Sequence, residues 1–261
     1  MILANLCRTI QKDINMTELT GGRALVTGGS RGIGAAIALA LARKGADVAV
    51  TYERSADRAA EVVRAIEAEG GRGFAIQADS ADPAAVKRSV DEAVSSLGGL
   101  DILVNNAGIA LYGTIEDFRL EDIDALLAVN VRAPVLAAQA AIPHLASGGR
   151  IITIGSAGAD RIVGATGTVY FMTKSALQSF TRGLAQELGP RDITANLVQP
   201  GSTDTDMNPA QGEYADFQRS LSPLGRYGTS EDVAAAVVFL AGPAARHVTG
   251  AILNVDGGQT A

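Results

Sequence analysis

From Arg23 onward, short β-branched apolar runs alternate with longer stretches of helical periodicity. The runs Ala24–Thr27, Val48–Thr51, Gly73–Gln77, Ile102–Val104, Ile151–Gly155, Ile193–Val198 and Ala251–Val255 are mostly apolar throughout, as strands buried on both faces are. Between them, Gly34–Lys44, Ala59–Glu69, Pro83–Leu97, Glu121–Leu145, Tyr170–Leu188 and Glu231–Leu240 repeat apolar positions every three or four residues and predict helices. Strict alternation implies right-handed crossovers. The expected fold is α/β, a doubly wound seven-stranded parallel sheet with helices on both faces. No repeat, linker or low-complexity tract divides it, so residues 21–261 are expected to form a single domain.

Two stretches fall outside the pattern. Met1–Thr20 carries only a weak helical spacing (Ile2, Leu3, Leu6, Ile10) and lacks the apolar core of a secretory signal; it is expected to be a flexible extension. Between Gln199 and Ser230, Pro, Gly, Ser, Thr and Asp dominate, with scattered Met207, Tyr214 and Phe217. A loop this long in a compact domain is usually functional, so residues 200–229 are read as a substrate lid.

Composition narrows the classes. Twenty-two basic against 28 acidic residues give a net charge of −6, which argues against a nucleic-acid or anionic-membrane partner. The one cysteine, Cys7, excludes an internal disulfide and fits a reducing, cytoplasmic location. No uninterrupted apolar run reaches the ~18 residues of a membrane span. His144 and His247 stand apart from other metal ligands, and Asp204 and Asp206 are too sparse for a calcium loop, so no metal is expected.

The first strand runs into Thr27-Gly28-Gly29-Ser30-Arg31-Gly32-Ile33-Gly34 and then an Ala-rich helix. Glycines 28, 32 and 34 permit a tight turn and a close backbone approach, and the following helix start favours an anion. At the end of the second strand, Tyr52 stands where an acid would accept a ribose 2′-hydroxyl, with Arg54 and Ser55 just beyond and Arg31 in the Gly-rich turn. Guanidinium and hydroxyl groups suit a 2′-phosphate, which favours NADP(H) over NAD(H). Glu53 would oppose this if turned inward.

Tyr170 and Lys174 share a helical face at i and i+4. A lysine ammonium near a tyrosine is expected to lower the phenol's pKa from its ordinary ~10 toward the neutral range. Ser156 closes the fifth strand, at the sheet edge where open α/β folds bind ligands; it can polarise a substrate oxygen or cap a turn.

Together these residues resemble the short-chain dehydrogenase/reductase family over essentially the whole chain from about Gly22. The matching pieces are Thr27–Gly34, Asp79, Asn105-Asn106-Ala107-Gly108, Asn130, Ser156, Tyr170 with Lys174, Pro200-Gly201 and Val255-Asp256-Gly257-Gly258. The resemblance implies a Rossmann fold with Tyr170 as acid/base and Ser156 polarising the carbonyl. It also implies that Lys174 binds the nicotinamide ribose and tunes Tyr170, and that Asn130 holds a water in a proton relay. Asp79 with Ser80 would meet the adenine, and Asn106, Ala107 and Gly108 the adenosine ribose. The segment from Pro200 and Gly201 through Thr203 and Thr205 would cover the carboxamide and phosphates. The interval from Ser156 to Tyr170 is one residue longer than the family's usual thirteen, within a segment that lines the substrate pocket. Ala157–Gly167, Met207–Phe217 and Ile109–Tyr112 are expected to frame that pocket, mostly with small or apolar side chains.

The implied activity is reversible reduction of a small ketone, 3-oxoacyl-like or otherwise, to a secondary alcohol by a homotetramer. Two alternatives stay open: an NAD-dependent alcohol dehydrogenase, and a nucleotide-binding regulator, since Asp204–Pro209 resembles a bacterial branch that includes a protein described as binding cyclic di-GMP.

Overall fold

The computed structural model describes residues 19–261; the extension expected over residues 1–20 lies outside the described residues as far as residue 18. Leu19 is buried against the core, and its backbone N–H donates to the Lys44 carbonyl at 2.7 Å.

One parallel sheet organises these residues in the order β3-β2-β1-β4-β5-β6-β7. Its strands are β1 (Arg23–Val26), β2 (Asp47–Tyr52), β3 (Gly73–Gln77), β4 (Ile102–Asn105), β5 (Arg150–Ile154), β6 (Thr194–Pro200) and β7 (Ile252–Val255). Successive strand residues enter opposite layers. Ala24, Val26, Val48, Val50, Ile102 and Val104 join one core, while Leu25, Ala49 and Leu103 join the other. Both faces must therefore be covered, and both are.

The first core lies under α1 (Gly32–Ala42), α2 (Ala56–Ala68) and α8 (Ser230–Ala241). The second lies under α3 (Pro83–Leu97), α5 (Ala133–Ala141) and α6 (Thr168–Leu188). The order reverses between β1 and β4, and the crevice beyond the strand ends there is where such sheets bind ligands.

Helix ends follow their caps. Asp82 accepts from the Ala84 N–H at 2.8 Å, Pro83 opens α3, and Gly98 closes it at φ +78°. Thr229 and Asp232 form a reciprocal capping box at α8.

The predicted helix Glu121–Leu145 is not uniform. It comprises α4 (Leu120–Leu127), a π-turn (Ala128–Arg132), α5 and a 3-10 turn (Ile142–His144). By length and composition alone this Leu120–His144 helix could cross a membrane, but half of its apolar window is buried in the protein. The stretch expected as an irregular lid contains a short helix, α7 (Ala215–Ser220). A parallel bridge between Thr203 and Gly228 pins its base.

Candidate active site

The turn after β1 is built by glycine. Gly28 has φ +64°, and a Cβ there would lie 2.9 Å from Ala107 Cα; at Gly34 a Cβ would overlap the Asn106 amide and the Gly28 carbonyl. Thr27 Oγ1 accepts from the N–H groups of Asn106 and Ala107, each at 3.0 Å. Asn106 Nδ2 donates back to the Thr27 carbonyl at 2.9 Å and the Gly28 carbonyl at 3.1 Å. Asn106, expected along a ribose, thus has its amide committed to bracing the turn. Thr51 fixes the other side, accepting from the N–H of Gly28 through Oγ1 and of Gly29 through its carbonyl, both at 2.9 Å. Arg31, the N-cap of α1, makes no side-chain cap bond, and an uncapped helix start is favourable to an anion.

Beside the turn, Thr27, Thr51, Ala78, Ser80, Asn105 and Ala107 line a small recess. Asn105 Oδ1 is buried there with no partner in the protein, an acceptor the fold leaves unfilled. Uncapped helix start, glycine-only approach and orphaned acceptor together fit a dinucleotide. Asp79 is exposed, and one of its carboxylate oxygens accepts from the Ala81 N–H at 2.7 Å.

The basic residues divide. Arg54 is turned into solvent with its Nε on Glu53 Oε1 at 2.8 Å, so Glu53 neutralises Arg54 instead of facing inward. Arg31 reaches Asp206 of the 200–229 segment at 3.3 Å, and Arg58 of α2 reaches the same oxygen at 2.6 Å. Sequence reasoning missed Arg58; the signal available was the acid adjacent to Arg54. Ser55 is the N-cap of α2 without a side-chain cap bond.

The catalytic candidates converge beyond β5. Ser156 is in extended conformation, and its Oγ accepts from the Gly158 N–H at 3.2 Å, capping the 3-10 turn Ala157–Ala159. The turn-cap reading is realised, and the hydroxyl hydrogen remains to donate elsewhere. Tyr170 stands on the first turns of α6, with its ring 5.7 Å from Tyr112 and 5.2 Å from Phe171. Lys174, one turn on, is buried and donates from Nζ to the Ile154 carbonyl at 3.1 Å.

The electrostatics differ from the expectation. Burial raises the Tyr170 phenol above its ordinary range; the neighbouring Tyr112 phenol adds to this, and a Ser156 hydrogen bond opposes it. Burial also pulls Lys174 down to about 8. The expected lowering of Tyr170 by Lys174 is therefore corrected. The ammonium lies 6.0 Å from the phenol ring centre, is itself desolvated, and spends a hydrogen bond on backbone.

Asn130 lies in the π-turn, a distortion frequent at functional sites. Its Oδ1 accepts from Ile109 N–H at 2.9 Å, while Nδ2 donates to the Ile109 carbonyl at 2.9 Å and to Thr173 Oγ1 at 3.1 Å. Thr173 in turn donates to the Tyr170 carbonyl at 2.7 Å. The Asn130 amide therefore holds protein, as a satisfied buried amide does. Gly108 sits where a Cβ would touch both Lys174 Nζ and Asn130 Oδ1. Thr173, missed in the sequence, ties Asn130 to the helix turn carrying Tyr170.

Over the turn, Thr205 is the lid residue nearest Gly32, whereas Thr203 is buried at the lid's base and donates to the Gly201 carbonyl at 3.1 Å. Pro200 ends β6, and a Cβ on Gly201 would collide with Asp256. The segments expected to frame a pocket present Tyr112, Ile162, Met207, Tyr214 and Phe217 as exposed apolar side chains. Among the described residues, no group of three or more His, Cys, Asp or Glu could hold a metal ion.

The family profile described as Enoyl-(Acyl carrier protein) reductase matches residues 28–260. The chain is 44% identical over 242 residues to the cyclic-di-GMP-binding biofilm dispersal mediator protein of Escherichia coli, covering 93% of this chain and 98% of that protein. It is 42% identical over 254 residues to a versicolorin reductase of Emericella nidulans, covering 92% and 96%. A solved short-chain dehydrogenase of Burkholderia cenocepacia in complex with NADP superposes with a TM-score of 0.92. That protein is 58% identical, with 94% of this chain and all of that one covered.

Proposed function

The chain belongs to the short-chain dehydrogenase/reductase family, and from this premise we propose that it reduces a neutral, largely apolar ketone to a secondary alcohol with NADP(H). The observation that carries the reading is the convergence of the half-buried Tyr170 phenol, Ser156 and the buried Lys174 at the carboxyl end of β5. A protonated phenol is a donor at neutral pH, and donation is what reduction asks of it.

NADPH, when bound, supplies the hydride to the carbonyl carbon. The Ser156 hydroxyl donates to the carbonyl oxygen and stabilises charge developing there. Tyr170 gives that oxygen its proton. Lys174, buried beneath Tyr170, brings a positive charge to the same side, and the Asn130–Thr173 pair holds the helix turn in register. Arg31 and the start of α1 would take the cofactor's phosphates, and Asn105 and Ser80 its adenosine end. Exposed Tyr112, Ile162, Met207 and Phe217 suit an apolar substrate, and the likeness to a versicolorin reductase supports the reductive direction. We further propose self-association through the helices bearing exposed Leu120, Leu127, Val135 and Met172.

The test is NADPH consumption against a panel of aliphatic, 3-oxoacyl and aromatic ketones, with Tyr170→Phe as control. Turnover of a neutral ketone that the control loses supports the reading. A second reading, nucleotide-binding regulator, has the 44% identity to a cyclic-di-GMP-binding protein in its favour. Calorimetric heat with cyclic di-GMP, together with no ketone turnover, would replace the reductase reading with it.

A further inference from the structure

The Gly-rich turn, the first turn of α2 and the lid meet at one atom. Asp206 Oδ2 accepts from Arg31 Nη1 at 3.3 Å and from Arg58 Nη1 at 2.6 Å. Arg31 follows β1, Arg58 follows β2, and the carboxyl ends of these adjacent strands are where an adenosine ribose carries its 2′-substituent. The third candidate, Arg54, is paired with Glu53 and points away. The two guanidiniums hold the Asp206 carboxyl below its ordinary range, so it is an anion throughout the neutral range. All three side chains are just over half exposed, which makes this ion pair weak and exchangeable.

We propose that Asp206 is an internal rival for the cofactor's 2′-phosphate, borrowing Arg31 and Arg58 until that phosphate displaces it. The inference rests on the NADP(H) reading above. A phosphate offers more charge and more acceptor oxygens than one carboxylate, so it wins both guanidiniums through charge-assisted bonds. Asp206 adjoins Thr205, which lies over Gly32, so displacement frees the lid's leading segment as the cofactor enters. A cofactor without the 2′-phosphate has nothing to exchange for Asp206 and leaves the lid tied down.

The experiment is calorimetric titration of the full chain with adenosine 2′,5′-bisphosphate and with 5′-AMP at constant ionic strength. For the wild type, the bisphosphate should bind more tightly. Asp206→Asn should tighten bisphosphate binding about three- to tenfold and leave 5′-AMP unchanged, as expected for release of two exposed ion pairs. Arg58→Ala should weaken the bisphosphate about tenfold, and Arg54→Ala should leave it unchanged. Weaker or unaltered bisphosphate binding by Asp206→Asn would overturn the rivalry, the weaker case making Asp206 a clasp over the cofactor. Equal wild-type affinity for the two nucleotides would instead overturn the NADP(H) reading.

Discussion

Lys174 carries its ammonium 6.0 Å from the ring centre of Tyr170, and burial shifts both groups toward their uncharged forms. This has a thermodynamic consequence of definite sign. Between about 8, the folded value for Lys174, and its ordinary 10.5, the unfolded chain binds a proton that the folded chain does not. The burial cost of the ammonium therefore weighs on stability below pH 8 and is relieved as pH rises to 10.5. Tyr170 opposes this above its ordinary pKa of 10, where the folded chain keeps a proton the unfolded chain has lost. In urea unfolding at pH 7, 8, 9 and 10, wild-type stability relative to Lys174→Met should climb between pH 8 and 10 by at most about 1.4 kcal/mol per unit. A pH-independent difference would show that Lys174 is not perturbed by burial.

Removing the Tyr170 hydroxyl should cost chemistry, not cofactor. Tyr170→Phe is expected to lower kcat for ketone reduction roughly 10²- to 10⁴-fold with NADPH affinity retained. Because burial keeps the phenol protonated, reduction should persist through the neutral range while alcohol oxidation, which needs the phenolate, rises with pH. Initial rates in both directions from pH 6 to 10 test this. Parallel profiles would remove Tyr170 from the proton transfer.

Gly34→Ala should abolish tight cofactor binding through the turn, not through any contact of its own. The added methyl would overlap the Asn106 amide and the Gly28 carbonyl, so the brace between β4 and the turn must open. Fluorescence titration with NADPH should show at least about tenfold weaker binding, and the melting temperature should fall, as overpacking costs ~1–3 kcal/mol. Unchanged affinity would mean that the turn is not the phosphate site.

Thr173→Val leaves the Asn130 amide short of an acceptor and removes a donor to the Tyr170 carbonyl. The expected cost is about 1–3 kcal/mol of stability, with a fall in kcat larger than any change in KM. Thr173→Ser should restore both. Failure of serine to rescue would mean that the methyl group, not the hydroxyl, is what the site needs.

Legibility in the sequence tracked the presence of local signals. Asp82-Pro83 and Gly98 mark both ends of α3, and the predicted span Pro83–Leu97 is the observed one. The first helix begins at Gly32, two residues before the predicted Gly34, because a glycine-rich start carries no hydrophobic period to register. The π-turn around Asn130 leaves no trace in periodicity, and α7 is too short to impose one on a polar stretch. Ser156, Tyr170 and Lys174 are legible as candidates because their spacing along one strand end and one helix face is itself sequence information. Arg58 is not, since choosing between Arg54 and Arg58 depends on which guanidinium an adjacent acid captures. The loop that holds Asn106 is legible from the strand before it, but the direction of its amide follows from tertiary contacts with Thr27 and Gly28.

The Phe171 ring fills the space that side chains at Gly158 and Gly167 would need, so both ends of the pocket segment rest on one aromatic post next to Tyr170. Asp160 is tied to Gln178 and Gln199, Arg161 to the Gln259 carbonyl, and the Thr166 carbonyl to the Gly113 N–H. What remains between those moorings is 162–165. An arch with fixed footings can be lengthened or redecorated at its crown without disturbing the ground beneath. An extra residue between Ser156 and Tyr170 can be absorbed at 162–165 on that account, while the strand end carrying Ser156 and the helix turn carrying Tyr170 stay where they are.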